Sequence, residues 1–373
     1  MGKRRYKQLG MESFFGNVVY ERAVPEDHFL RQLEGVVDWE VFGEQLVALY
    51  RGRAEEGRPP YDPVVLLKML LLSYLYNISG RQVQAHVQDS LSAKFFLGLA
   101  VDEPAPDYTT LALFTRRIAE YGKERSLQAL LGAVVAAARA GGVKFGSLQV
   151  VDSTHTVADV NTGKDDRRQG KEGKPPRDGD ARWGCKHRRR MRNEEGKVVQ
   201  QPEYFYGYKA HTSLNAEAEM ITSVVVTGGN APDGKQLTRL VRQDRAQGLP
   251  VETYAGDRGY DDTENHCYLE SEGLHSAIKL NRYRTERKDG HEGVWVALQE
   301  TAEYQAGQAE RYKIERKYGE AKAHHGLRRC RYLGRMRYAI QAYMTAIVLN
   351  LKRMVTALTG ATFRGRARVG LVA

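Results

Sequence analysis

"GGVKFGSLQVVD" (141–152) decides how the rest of the chain is read. Two glycines end a long helical pattern, and a short run of β-formers follows and stops at an acid. The reading is a strand closed by Asp152. Downstream, "YFYGYKAHTSLN" (204–215) and "EMITSVVVTGG" (219–229) read as two more strands, rich in β-branched and aromatic residues. A helix opened by "APDG" (231–234) comes next, then a strand "ETYAGD" (252–257), a helix (262–273), a strand "HSAIKL" (275–280) and a long helix around 302–325. Three adjacent strands followed by alternating helix and strand predict an α/β domain with a mixed sheet over 141–358.

Upstream, residues 1–140 read as an all-α domain. "EDHFLRQLEGVVDWEVFGEQLVALY" (26–50) carries apolar residues at helical spacing. "RPPYDPVVLLKMLLLSYLYN" (58–77) opens on prolines and is apolar nearly all round, which predicts a core helix. Two short helices opened by serine fill 79–100, and a third covers 106–122, with Arg116 and Arg117 near its end. Short helices and tight connections resemble a DNA-binding helix-turn-helix bundle, though a plain helical bundle gives the same pattern.

The chain has 373 residues, 42% of them hydrophobic and 28% charged, which is the composition of a globular protein and not of a disordered one. Its 57 Lys and Arg against 46 Asp and Glu give a net charge of +11, which favours a polyanionic partner. Apolar runs such as "YAIQAYMTAIVLNL" (338–351) fall short of the roughly 18 residues a membrane span needs, and no amphipathic basic helix marks either end. Cys185, Cys267 and Cys330 lie far apart, so neither a disulfide framework nor a cysteine zinc site is expected, and a cytoplasmic location fits.

Between the first two strands lies a basic insert at 160–203. Its densest part, "KDDRRQGKEGKPPRDGDARWGCKHRRRMR" (164–192), holds 12 Lys or Arg and five Asp or Glu. Gly, Pro and charge predict a loop there, with Arg188, Arg189 and Arg190 placed to meet DNA phosphates. Trp183 and His187 are candidates for stacking on bases. The tail at 359–373, with "FRGRARVG" (363–370), reads as a basic flexible end.

Three acids take comparable places. Asp152 closes the first strand, Asp257 closes the strand in "AGDRGYDD" (255–262), and Glu315 lies on the late helix "ERYKIERKYGEAK" (310–322). Alone, Asp257 beside Gly and Arg is as good a turn residue as a displayed carboxylate. On the late helix, Arg311, Glu315 and Lys322 fall within roughly 60° of one another, while Glu320 is about 140° from Glu315. An exposed face with Arg–Glu pairing explains those three as well. Metal-assisted phosphodiester cleavage would need all three acids, because hard cations take oxygen ligands and leave other positions to water and phosphate. Acids within a basic surface also repel phosphate unless a cation intervenes, which a pure binding protein has no use for.

Together "VVDSTHTVADV" (150–160), "GYKAH" (207–211), "AGDRGYDD", the Arg311-x3-Glu315-x6-Lys322 spacing and "GLRRCRYLG" (326–334) resemble the DDE transposases of prokaryotic insertion sequences. The resemblance covers nearly the whole chain and implies an RNase H-like mixed sheet flanked by helices, preceded by an all-α N-terminal domain. It implies that Asp152, Asp257 and Glu315 are catalytic and hold two Mg²⁺ ions, with Mn²⁺ able to substitute. Arg311 and Lys322 would contact DNA phosphate, with Arg328, Arg329 and Lys209 as further DNA contacts. The partners implied are double-stranded DNA, as transposon terminal repeats and target, and other copies of the chain in a dimer or larger assembly at the nucleoid. Only 58 positions separate Asp257 from Glu315, so no large inserted domain is expected there. The chain departs from the family signature at Gln308, where a Tyr is usual.

Other residues carry bland readings. Asp261 and Asp262 are expected to cap a helix, His155 to be a loop neighbour, and Lys209 and His211 to share a strand face. A nuclease of another RNase H-like kind, or a non-catalytic DNA-binding relative of a transposase, are the competing functions.

Overall fold

The structure is a computed structural model that describes residues 6–7, 9, 14–47, 59–192, 196, 198–281 and 297–363. The chain divides into two compact units: Met1–Val143 with Met344–Ala373, and Lys144–Tyr343.

The first unit is helical. α1 (Phe14–Ala23), α2 (Phe29–Val36) and α3 (Glu40–Val47) precede α4 (Pro63–Leu75), which has proline in its first turn and Asp62 capping the Val64 N–H at 2.7 Å. All but one of its residues are buried, as its all-round apolar pattern predicts. Ser79 opens α5 (Gly80–Asp89) with a reciprocal capping box to Gln82, and Ser90 opens α6 (Leu91–Leu97), which Gly98 ends in a left-handed conformation. α4 and α5 meet at 104°, within the range of helix-turn-helix pairs. α7 (Tyr108–Arg117) passes through a π turn (Ile118–Gly122) into α8 (Lys123–Ala140). Among the described residues no single helix is long and apolar enough to cross a membrane.

The second unit is built on a six-stranded sheet. β1 (Leu148–Val157), β3 (Val198–Asn215) and β4 (Met220–Gly228) form an antiparallel meander, and β5 (Thr253–Gly256) and β6 (His275–Ile278) extend it in parallel from the other edge of β1. The order is β4-β3-β1-β5-β6. On one face, α10 (Leu237–Ala246) and α11 (Thr263–Ser271) bury Val151, Tyr254 and Ile278 with Leu240, Val241 and Leu269. The other face receives α12 (Ala302–Glu310), α13 (Tyr312–His324) and the start of α14 (Arg335–Thr359). Gly307 of α12 comes so close that an added Cβ would lie 2.7 Å from the Cβ of Ala277 and 3.0 Å from that of Ala255. This is an RNase H-like mixed sheet flanked by helices, preceded in the sequence by an all-α region.

Three expectations are corrected. The basic insert is not a loop: it forms α9 (Thr162–Glu172) and β2 (Arg182–Arg192), which pairs with the first half of β3 and gains its backbone hydrogen bonds there. β1 does not stop at Asp152 but runs five residues further, because β3 accompanies it to Val157. The late helix is interrupted at Arg311. Residues 326–334, beyond that helix, form an irregular segment whose Arg328–Cys330 backbone bonds to Val157. The division by compactness falls after Tyr343, within α14. Of the tail, residues 364–373 lie outside the described residues, as do the side chains of Arg188, Arg189 and Arg190.

Candidate active site

β5 is only four residues long, and its ladder with β1 ends at the pair Val150 and Ala255. Two residues beyond each lie Asp152 and Asp257. β1 outruns its short parallel neighbour, so Asp152 stands mid-strand but uncovered on that edge. Asp257 is both things the sequence allowed: one carboxylate oxygen caps the turn by accepting from the Gly259 N–H at 2.8 Å, while the residue extends the line of β5.

Burial pushes the Asp152 carboxyl up to about 7, with the Asp257 charge as the next cause and Asp233 adding to it. A backbone hydrogen bond from Ser153 and the Arg311 guanidinium oppose that rise. Asp233 is the acid the sequence reading missed. It sits in the turn before α10, pairs with Lys209 at 2.9 Å, and had no signal beyond its place in "APDG".

α13 is fastened to this spot by Tyr318. Its hydroxyl donates to the Asp152 carbonyl at 2.8 Å and lies 2.6 Å from Thr212 Oγ1, and Thr212 is the β3 residue opposite Asp152. Glu315, one turn earlier on the same helix, is exposed. Among the described residues no three His, Cys, Asp or Glu side chains converge as a finished metal cage. The structure therefore brings Asp152 and Asp257 together and carries Glu315 on the helix anchored beside them.

Positive charge surrounds the pair. Arg311 is half-buried, its Nε–H has no partner among the described residues, and its charge acts on Asp152. Lys322 is held below the usual lysine range by burial and by Lys186 and Arg328, while Asp152 pulls the other way. Lys186, in β2, is a site neighbour that the sequence reading did not single out; it pairs with Glu203 at 3.0 Å. Arg328 donates from Nε to the Lys322 carbonyl at 3.2 Å, and Arg329 pairs with Asp159 at 2.6 Å.

The remaining candidates sit elsewhere. Lys209 and His211 share a face of β3, as expected, but it is the face opposite Thr212. Lys209 is occupied by Asp233 and the Ala231 carbonyl. His211 is fully buried, bonded to Thr227 at 2.8 Å, and burial lowers its pKa to about 4, so its ring is neutral beside Asp233. His155 is a strand residue whose ring lies 4.8 Å from Phe205, not a loop neighbour. Asp262 caps α11, whereas Asp261 accepts from the Asn281 N–H at 2.6 Å and stands 3.1 Å from His266 Nε2. Gln308 donates to the Gly256 and Ala277 carbonyls at 3.2 and 2.6 Å, so its amide ties α12 to the ends of β5 and β6.

Oxygen donors, crowded negative charge and a raised Asp152 pKa fit a divalent hard cation, which takes one or two carboxylates per ion. The Arg311 Nε–H fits an anion approaching the same place.

Residues 18–117 match the family described as "Transposase domain (DUF772)", and residues 144–351 match the "Transposase DDE domain". Among solved structures, the chain is similar to a piggyBac transposase synaptic complex with hairpin DNA, at 9% identity and a TM-score of 0.38, covering 91% of this chain and 76% of that one. It is also similar to the Mos1 strand transfer complex, at 11% identity and a TM-score of 0.20, covering 83% and 82%. The two family matches carry the assignment.

Proposed function

Because the chain belongs to the DDE transposases, a family whose catalytic domain spans residues 144–351, we propose that it cuts transposon ends with Asp152, Asp257 and Glu315 and joins the freed 3′-OH to target DNA. The observation that carries this reading is the placing of Asp152 with Asp257 at the open end of the β1–β5 ladder, where the Asp257 charge adds to the cost of ionising Asp152.

Asp152 and Asp257, with Glu315 supplied from α13, would hold two Mg²⁺ ions. Bound there, the ions supply Lewis acidity to the scissile phosphate and a water or hydroxyl activated for attack. The chain's own residues do the rest. Arg311 would offer its Nε–H to a phosphate oxygen, and Lys322, crowded by Lys186 and Arg328, would offer a second contact. Tyr318 keeps Glu315 within reach by fixing α13 to β1. Arg188, Arg189, Arg190, Arg328 and Arg329 would extend the phosphate track, whereas Lys209 serves Asp233 first. The helical domain over residues 1–140 would recognise the terminal repeats. Two or more copies would assemble on DNA to bring two ends together.

Cleavage of a labelled duplex carrying the element's own ends, with Mg²⁺ and with EDTA, tests this. Wild type should nick at the ends only with metal, and Asp152→Ala, Asp257→Ala and Glu315→Gln should bind DNA but not cut. Wild-type binding without cleavage in either Mg²⁺ or Mn²⁺ would replace the reading with a DNA-binding protein. Nicking without preference for the ends would replace it with a nuclease of another kind.

A further inference from the structure

The β2–β3 ribbon has two unlike faces. Along β3, Phe205 is 5% exposed and packs on His155, while its neighbours Tyr204 and Tyr206 point the other way. Tyr204 is 62% exposed, and Trp183, opposite Tyr206 in the register, is 52% exposed. The Trp183 and Tyr206 rings lie 5.4 Å apart at 52°, and the Tyr206 hydroxyl is anchored to the Asp178 carbonyl at 2.7 Å. At Gly184, an added Cβ would lie 2.2 Å from the Gly229 carbonyl oxygen, so the base of the ribbon is held tightly. Large aromatics left in water on a rigid base are not packing residues. They form a ridge.

Alternation along β3 places this ridge on the active-site side. Tyr204 and Tyr206 share the face of Thr212, the residue opposite Asp152 and bonded to Tyr318. At about 3.4 Å per residue, Tyr206 and Tyr204 stand roughly 20 and 27 Å along the strand from Thr212. β2 supplies the charge: "RWGCKHRRRMR" (182–192) has six Lys or Arg and no acid. Lys186 lies in the same strand and acts on Lys322 at the site.

We propose that Trp183 and Tyr204 form a stacking platform for unpaired DNA bases, roughly 20 to 27 Å along the ribbon from the phosphate at Asp152. The position relative to that phosphate rests on the transposase reading; the aromatic and basic surface does not. Backbone charge alone would explain duplex binding, but it gives no use for exposed rings. Base stacking does, because every base offers a π face to an aromatic ring and to Arg beside it.

The test is fluorescence anisotropy in EDTA with a thymidine oligonucleotide of about 16 nucleotides and a blunt duplex of the same length. Trp183→Ala and Tyr204→Ala should each weaken single-strand binding about tenfold and leave duplex binding within about twofold, with Trp183→Phe close to wild type. Equal losses on both probes, or no loss on single strands, would overturn the proposal. A changed oligomeric state of Trp183→Ala in light scattering would also overturn it, assigning the ridge to a second copy of the chain. None of these readings needs cleavage, so failure of the platform is distinguishable from failure of the transposase assignment.

Discussion

Asp152 and Asp257 occupy equivalent rows of a parallel ladder, each two residues past the last paired residue of its strand, Val150 and Ala255. The sheet leaves them together at its open edge because β5 stops while β1 continues beside β3.

That pairing has a direct electrostatic signature. The Asp152 carboxyl is pushed up to about 7, first by burial and then by Asp257. In metal-free protein, Asp257→Asn removes the second cause and leaves the first. The Asp152 midpoint should move down yet stay above its ordinary 3.8, read by carbon-detected NMR titration. An unmoved midpoint would show that the two carboxylates do not share a pocket.

Tyr318→Phe keeps the ring and loses the hydroxyl that joins α13 to the Asp152 carbonyl. The expected stability loss is about 1 kcal/mol by denaturant unfolding. A larger effect is expected on function, with the Mg²⁺ concentration for half-maximal cleavage rising several-fold because Glu315 rides on the loosened helix. An unchanged metal requirement would reduce Tyr318 to ordinary packing.

Gly307 and Gly170 should respond oppositely to alanine. At Gly307 the new methyl meets two Cβ atoms fixed to β5 and β6, so Gly307→Ala should cost about 1–3 kcal/mol. At Gly170, inside α9, nothing lies within 4 Å, and Gly170→Ala should gain up to about 1 kcal/mol. Thermal unfolding of both variants checks the pair. A neutral Gly307→Ala would mean that α12 does not sit as close to the sheet as the structure shows.

His211 gives the fold a pH limit. Burial lowers its pKa from 6.5 to about 4, so the folded state binds this proton more weakly than the unfolded one. Its contribution is therefore complete above pH 6.5 and is lost as pH falls toward about 4, by at most about 3 kcal/mol. His211→Gln, which retains a polar group for Thr227, should flatten the stability curve between those values. A curve parallel to wild type would assign acid unfolding to other groups.

Much of this fold is legible in local pattern. The Gly141–Gly142 break, the serines before α5 and α6, the apolar α4 and the β-branched run in β4 each report the conformation of their own segment, because capping, periodicity and backbone propensity act over a few residues. The spacing of Arg311, Glu315 and Lys322 and the two aspartate motifs were equally open to reading, since each lies within a short stretch of neighbouring residues. Partners that depend on register were not. The length of β1 past Asp152 was set by β3, the order in the basic insert by pairing of β2 with β3, and the role of Asp233 by a fold that brings its turn beside two distant strand ends. Gln308, marked in sequence only as a departure, proved to bind the carbonyls that end β5 and β6. Local chemistry writes itself into adjacent residues, whereas burial and charge at a site depend on which remote segments arrive there, and that is decided only when the sheet closes its ladders.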